Sequence, residues 1–236
     1  MLFEFTKENM NFFLKELGKE FRKLNGTKIQ AEIILIGGGS ILANYNFREM
    51  TTDMDAVIHA SSVMKEAILR VSDKHNLPYD WLNTDFKRTA SFSKRLEEVS
   101  VYYKTFSNIL EIRTITAEYL IAMKLMSGRQ YKNDLSDIAG ILWEHKKSGN
   151  LITRKKINDA IIKLYENNQI PDISMNLLDE VFSNENFENS YKKFRKSEIE
   201  INNTVREFRQ KYPDEAKKQS INDIIEIIRQ RKGESE

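Results

Sequence analysis

Three glycines, a serine and two aspartates share one short stretch of the chain, and together they could bind a metal-bound phosphate. Residues 37–60 read GGGSILANYNFREMTTDMDAVIHA. Glycines let backbone N–H groups approach an anion closely, because no side chain blocks the way. Asp53 and Asp55 lie two residues apart, so both carboxylates project from one face of a strand. Such a pair suits Mg²⁺, which takes oxygen ligands from carboxylates and phosphates. The stretch therefore predicts a site for a metal-bound nucleoside triphosphate.

The elements on either side of this stretch must hold the two halves of the site together. The apolar residues of segment 6–24 recur at helical spacing, which predicts an amphipathic helix ending near Asn25-Gly26. An apolar run at 33–36, stopped by the glycines, is typical of a buried strand. A short helix is predicted over 40–45 and a second strand over 54–58. If these strands are neighbours, the glycine turn and the aspartates lie side by side.

The rest of the chain divides into a mixed part and a helical part. We expect a helix over 63–75 and a strand hairpin over 99–103 and 109–113. From residue 116 onward six segments carry helical periodicity and no strand pattern follows: 117–126, 133–146, 153–166, 173–182, 187–211 and 220–231. The sequence thus predicts an α+β fold. A mixed sheet with flanking helices spans residues 1–115, and an all-helical region of residues 116–236 packs on it.

Composition excludes several classes of protein. The 236 residues carry a net charge of only +2, so overall charge does not indicate a nucleic acid or a membrane surface as partner. The chain has no cysteine and three histidines, which excludes disulfides, thiolate chemistry and cysteine-based zinc sites. The N-terminus lacks the uncharged core of a signal peptide, and no apolar run is long enough to span a bilayer. We therefore expect a cytoplasmic protein with no membrane partner.

The order of these motifs resembles a known superfamily. A strand, Gly38-Gly39-Ser40, a short helix and then Asp53-Met54-Asp55 are similar to the signature of the DNA polymerase β-like nucleotidyltransferases. That family takes a third carboxylate from a later strand, within a hydrophobic-acid-hydrophobic triplet, and Leu110-Glu111-Ile112 fits this position. Segments 117–124 and 128–137 resemble the lysine and "R..KD..D" segments of the AbiEii/MenA-like members, although Asn133 separates Lys132 from Asp134.

The resemblance implies a nucleotidyltransferase that uses a nucleoside triphosphate and two Mg²⁺ ions. Asp53, Asp55 and Glu111 would hold the metal and, with Asp134, form the catalytic group. The nucleotide would be bound by residues of the turn and of the later segments: Gly38, Gly39, Ser40, Lys124, Arg129 and Lys132.

Each of these residues also has a plain structural interpretation. Glu111 fits an exposed position on an edge strand equally well. Lys124 lies in an apolar helical segment, where its amine could simply extend to solvent. Asp134 and Asp137, three residues apart at a helix start, would favour the helix dipole. Arg48, Thr51 and Thr52 precede the aspartates, where a threonine hydroxyl could donate to a phosphate or merely begin the strand.

The acceptor of the nucleotide stays open at the level of the sequence. The resemblance favours a toxin-type enzyme that adds nucleotides to an RNA end, such as a tRNA 3′ terminus, and is held in check by an antitoxin protein. A small-molecule or protein acceptor is the second interpretation, and a catalytically silent nucleotide- or partner-binding domain is the third. The aromatic and basic segment 191–196 could contact RNA, but a helix with buried aromatics and exposed lysines explains it better.

Overall fold

The fold is a five-stranded mixed sheet with helices on both faces and a helical C-terminal region, as the sequence predicted. The computed structural model describes residues 3–27, 29–129, 133–166, 170–184, 186–216, 221, 223–225 and 227. The strands are β1 (Ala31–Leu35), β2 (Met54–His59), β3 (Leu82–Asn83), β4 (Ser100–Phe106) and β5 (Leu110–Ile115). Their order in the sheet is β3-β2-β1-β5-β4. The central strand β1 is antiparallel to β2 and parallel to β5.

The helices follow the predicted order with small shifts at their ends. They are α1 (Lys7–Asn25), α2 (Gly37–Asn44), α3 (Met64–His75), α4 (Ala117–Ser127), α5 (Asp134–Lys147), α6 (Arg154–Tyr165), α7 (Asp172–Ser183), α8 (Phe187–Lys211) and α9 (Pro213–Ala216). The sequence pattern missed β3, α9 and two 3₁₀ helices at Asp85–Arg88 and Lys94–Leu96, because such short elements carry no clear periodicity. The helix expected over 220–231 lies largely outside the described residues.

Alternating side chains of the sheet fill two separate apolar cores. Ile33 and Leu35 of β1 point to the face covered by α1 and α3. Ile34 and Ile36 point to the other face, where α4 to α8 contribute most of the apolar side chains. The period-two alternation of a strand accounts for this division. The helical region is therefore in contact with the sheet, while the domain boundary near Ile115 stays a prediction.

Helix α4 follows β5 with only Thr116 between them, so the sheet fixes where the helical region begins. Within the described part of the chain, no helix is both long and apolar enough to span a bilayer.

Candidate active site

The glycine turn and the aspartate pair lie side by side, where β1 ends and β2 begins. Ile36, the residue before α2, donates its backbone N–H to the Asp55 carbonyl oxygen at 2.9 Å. This bond joins the start of α2 to the start of β2. Met54 is completely buried, whereas Asp53 is exposed and Asp55 is half-buried. Both carboxylates therefore lie on the side away from the core that encloses Met54.

The geometry requires glycine at two positions of the turn. Gly37 has φ +52°, in the left-handed region that glycine tolerates best. A Cβ atom on Gly38 would lie 2.5 Å from Thr51 Oγ1 and 2.9 Å from Arg48 Nη2. The turn is thus packed tightly against the loop that leads to the aspartates. The first N–H groups of α2 have no partner within the helix, so this end of α2 suits an anion.

Ser40 has a structural role in this arrangement. Its side chain is completely buried, and its Oγ accepts a hydrogen bond from the Ile115 N–H at 3.0 Å. The hydroxyl therefore connects α2 to the end of β5 inside the protein. The nucleotide contact predicted for Ser40 does not fit its buried position.

Glu111 lies far from the aspartate pair. The strand register places Glu111 beside Glu32, which in turn faces His59, four residues along β2 from Asp55. Four residues of a strand span about 13 Å. Glu111 also accepts a hydrogen bond from Arg113 Nη1 at 2.9 Å. The structure does not bring the predicted third carboxylate to the site.

A second cluster of charged side chains is buried where α4 meets α5. Lys124 Nζ lies 2.6 Å from Asp134 Oδ1 and 2.8 Å from Asp137 Oδ2. All three side chains are at most 10% exposed. Arg129 Nε lies 3.0 Å from Asp134 Oδ2, and the Ser127 hydroxyl also donates to that carboxylate. Every carboxylate here has a cation, as a buried charge requires.

Burial and neighbouring charges act in opposite directions on the pKa values of this cluster. Burial alone would lower the pKa of Lys124, but the charges of Asp134 and Asp137 outweigh it, so the pKa is raised. Burial would likewise raise the pKa of Asp134, yet the charges of Lys124 and Arg129 hold it below its usual value. Lys124 and Asp134 therefore stay ionised at neutral pH, and Lys124 is bound by protein rather than directed to solvent.

Arg48 connects the two clusters. Its Nη1 lies 2.6 Å from Asp137 Oδ2, and its Nε donates to the Met50 carbonyl oxygen at 3.1 Å. Its Nη2, together with Thr51 Oγ1, occupies the space that a side chain on Gly38 would need. The sequence analysis gave Arg48 no role, and only its position five residues before Asp53 hinted at one. Lys132, another predicted contact, lies outside the described residues.

Glu198 on α8 is a further buried acid that the sequence pattern did not single out. Its Oε1 accepts the backbone N–H groups of Leu135 and Ser136 at 3.1 Å each, and its Oε2 accepts the Ser136 hydroxyl at 2.5 Å. It therefore caps α5, the helix that carries Asp134 and Asp137. Burial raises the pKa of Glu198 to about 7, despite these donated hydrogen bonds.

The aspartate pair satisfies the ligand chemistry of Mg²⁺ in part. Among the described residues, no group of three or more histidine, cysteine, aspartate or glutamate side chains could hold a metal ion. Mg²⁺ commonly uses only one or two carboxylates and completes its shell with water and substrate phosphates. Asp53 and Asp55 beside the glycine turn fit this kind of site.

Comparison with known families agrees with the motif. Residues 13–142, more than half of the chain, match a family described as "Nucleotidyltransferase of unknown function (DUF6036)". The chain belongs to this nucleotidyltransferase family. The matched region runs from α1 into α5, so it contains the glycine turn, the aspartate pair and the buried cluster of this DUF6036 member, but not Glu198. It supports the general nucleotidyltransferase superfamily and does not extend to the AbiEii/MenA-like members.

Other comparisons add little to this family assignment. No curated protein matches the DUF6036 chain. A crystal structure of an antigenic nucleotidyltransferase-like protein from Paracoccidioides brasiliensis aligns with 74% of this chain and 94% of that chain. The identity is 12% and the TM-score is 0.39, a likeness too distant to support an argument.

Proposed function

We propose that the protein is a Mg²⁺-dependent enzyme that transfers a nucleoside monophosphate from a nucleoside triphosphate to an acceptor hydroxyl. One observation carries the proposal: Asp53 and Asp55 lie beside the start of α2, joined to it by the bond between Ile36 and Asp55. The backbone N–H groups of α2 would bind the triphosphate. Bound at the two carboxylates, Mg²⁺ would supply charge neutralisation for the phosphates and for the leaving pyrophosphate.

The protein's own groups have distinct tasks in this proposal. Gly37 leaves the turn open to the triphosphate, and Gly38 lets the turn pack against Thr51 and Arg48. Arg48 holds the loop before the aspartates, because it bonds both to that loop and to Asp137. Asp134 and Lys124 act inside the protein, where they position α4 and α5 rather than contact the nucleotide.

The acceptor that we propose is the 3′ end of an RNA, such as a tRNA, in a toxin-type system with an antitoxin partner. This follows the resemblance of segments 117–124 and 128–137 to toxin-type nucleotidyltransferases. We propose a cytoplasmic location, because such a reaction consumes nucleoside triphosphates. A small-molecule or protein hydroxyl is the alternative acceptor.

A catalytically silent binding domain is the second candidate function. The position of Glu111 favours it, because within the described part of the chain no third carboxylate joins Asp53 and Asp55 as the superfamily pattern requires. Such a domain would bind Mg²⁺ and nucleoside triphosphate without releasing pyrophosphate.

One experiment tests both candidates. We would incubate the protein with Mg²⁺ and each of the four α-³²P-labelled ribonucleoside triphosphates, adding total RNA or total protein as acceptor. The expected result is label in RNA that disappears with Asp53→Ala/Asp55→Ala. Label in protein instead would move the acceptor to a protein hydroxyl. Triphosphate binding by calorimetry, without label in any pool and without pyrophosphate release, would establish the silent domain and overturn the transferase.

A further inference from the structure

A polar cavity of about 290 Å³ lies beside the candidate active site, between the loop before β2 and helices α5 and α8. Its floor is formed by Ser136 and Asp137, which are 1% and 2% exposed. Its rim includes the exposed side chains of Glu49 and Ile199. Sites for small ligands commonly start at roughly 300 Å³, so the cavity has room for one ligand group of modest size.

Aromatic side chains form one wall of this cavity. Phe47 and Tyr191 line it, with their ring centroids 5.5 Å apart in an edge-on arrangement. The Tyr191 hydroxyl donates to the Phe47 carbonyl oxygen at 2.9 Å, and Trp143 stacks on the Tyr191 ring at 5.6 Å. Gly140 makes room for this packing, because a Cβ there would lie 2.6 Å from the Phe47 ring. The wall is therefore built of several mutually supporting contacts.

The charges of the cavity differ from those of the buried cluster. Arg48 lines the cavity but is already held by Asp137 and by the Met50 carbonyl. Arg195 also lines it, and its Nη1 donates to Asn133 Oδ1 at 2.5 Å. Among the described residues, Arg195 forms no ion pair. A guanidinium without a carboxylate partner at an aromatic cavity is suited to a phosphate next to a base.

We propose that this cavity binds the terminal nucleotide of a single-stranded RNA acceptor. The base would pack against the aromatic wall, the Asn133 amide would contact the base edge or sugar, and Arg195 would contact the adjacent phosphodiester. The inference rests on the proposed transferase function, since it assigns the acceptor of that reaction. It also gives segment 191–196 a role, because Tyr191 and Arg195 both come from it.

The position of the cavity supports an acceptor rather than the triphosphate. Arg48 lines the cavity with one part of its side chain, while its Nη2 lies against Gly38 of the phosphate turn. The cavity therefore begins one side chain away from the place proposed for the triphosphate. The exposed Glu49 at the rim would disfavour the high negative charge of a triphosphate, whereas one phosphodiester matches the single charge of Arg195. A polycationic small molecule would instead be repelled by Arg195.

The fluorescence of Trp143, which stacks on Tyr191 of the cavity wall, provides a binding measurement. The other tryptophan, Trp81, is 1% exposed and lies in the core on the opposite face of the sheet. We would titrate the Asp53→Ala/Asp55→Ala protein, without Mg²⁺, with a single-stranded RNA trinucleotide, with ATP and with inorganic phosphate. We expect saturable quenching by the trinucleotide and none by inorganic phosphate.

Two variants test where the trinucleotide binds. Arg195→Gln removes the guanidinium that lines the cavity, and Ile199→Glu adds a negative charge at an exposed position of the rim. Each should weaken trinucleotide binding about tenfold, because a phosphate contact is lost or repelled. Lys196→Gln removes one positive charge from the neighbouring exposed position, 80% exposed, and should leave binding within about twofold. Ile199→Gln separates the effect of charge from that of shape.

Each outcome decides a separate point. No quenching by the trinucleotide, or quenching that Arg195→Gln and Ile199→Glu leave unchanged, would overturn the RNA assignment. Quenching by ATP that both variants abolish would make the cavity part of the triphosphate site and overturn it too. Trinucleotide binding at the cavity, combined with no label transfer in the wild-type protein, would remove the transferase function and leave an RNA-binding site without acceptor chemistry. If Ile199→Glu transfers label with the wild-type KM for the acceptor, the transferase function would stand and the assignment of the acceptor to this cavity would be overturned.

Discussion

The protein contains two aspartate pairs that differ in almost every physical respect. Asp53 and Asp55 lie at a strand start, exposed and half-buried, beside a glycine turn that suits an anion. Asp134 and Asp137 lie at a helix start, at most 2% exposed, and their charges are matched by lysine and arginine side chains. The first pair is arranged to meet a ligand and the second to meet the protein. Similar residue types, two or three positions apart, therefore serve binding in one place and architecture in the other.

The largest effect on stability should come from removing the cation that lies between the two carboxylates of the buried pair. Lys124→Met should lower the free energy of unfolding by about 3–5 kcal/mol, because two buried carboxylates would lose their common partner. Urea denaturation would measure the change. Lys192→Met is the matched control, since Lys192 is 65% exposed and pairs with Glu188 at the surface. It should cost at most about 1 kcal/mol. Equal losses in both variants would show that the buried pair is not the structural one.

A substitution in the exposed pair should reduce activity strongly and leave stability nearly unchanged. Asp53→Asn should reduce nucleotidyl transfer at least about 100-fold, equal to about 3 kcal/mol of transition-state stabilisation, because the metal would lose a charged ligand. The free energy of unfolding should change little, since Asp53 is exposed. Rates of pyrophosphate release and a urea curve, measured on one preparation, would check both halves. Asp134→Asn should instead reduce stability and activity together.

Glu198, which caps the helix that carries the buried pair, should make the stability of the protein depend on pH. Its pKa is raised from a usual value near 4.5 to about 7. The folded protein therefore binds this proton more tightly than the unfolded chain, so the stabilisation is present at low pH and is lost as pH rises through 7. We expect on the order of 2 kcal/mol less stability at pH 8 than at pH 5 from this group. Glu198→Gln should remove this slope. Asp134, with a lowered pKa, loses its contribution only in acid below about pH 4.

The smallest effect should come from Glu111, the predicted third carboxylate, which lies far from Asp53 and Asp55. Glu111→Gln should change the transfer rate by less than about twofold, because the strand register places it about 13 Å along the sheet from Asp55. Glu118→Gln, a change of the same kind on α4, serves as the matched control. A loss of activity as large as that of Asp53→Asn would require a rearranged sheet in the active enzyme.

Local pattern was sufficient for most of the fold and for the position of Asp53 and Asp55 beside the glycine turn, because hydrophobic periodicity and glycine positions are properties of short segments. The metal-binding role of the pair stays a prediction. Local pattern failed at Glu111, because the residues around Glu111 do not determine how β5 is aligned with β1 in the sheet. It also gave no role to Arg48 and did not predict the contact of Lys124 with Asp137. Their partners are fixed by tertiary packing, and periodicity predicts which residues are buried but not which buried charges meet.

The bond between Arg48 and Asp137 has a consequence for how the protein is made. The two residues are 89 positions apart. On the ribosome the whole sheet can emerge while α5 is still inside the exit tunnel. During that interval the backbone bonds between Phe5 and Thr51 can hold the end of the loop before the aspartates, but Arg48 lacks its carboxylate partner. The site thus reaches its working shape only after more than half of the chain has been translated. A fragment released early would contain the glycine turn and both aspartates of the exposed pair and still be incomplete.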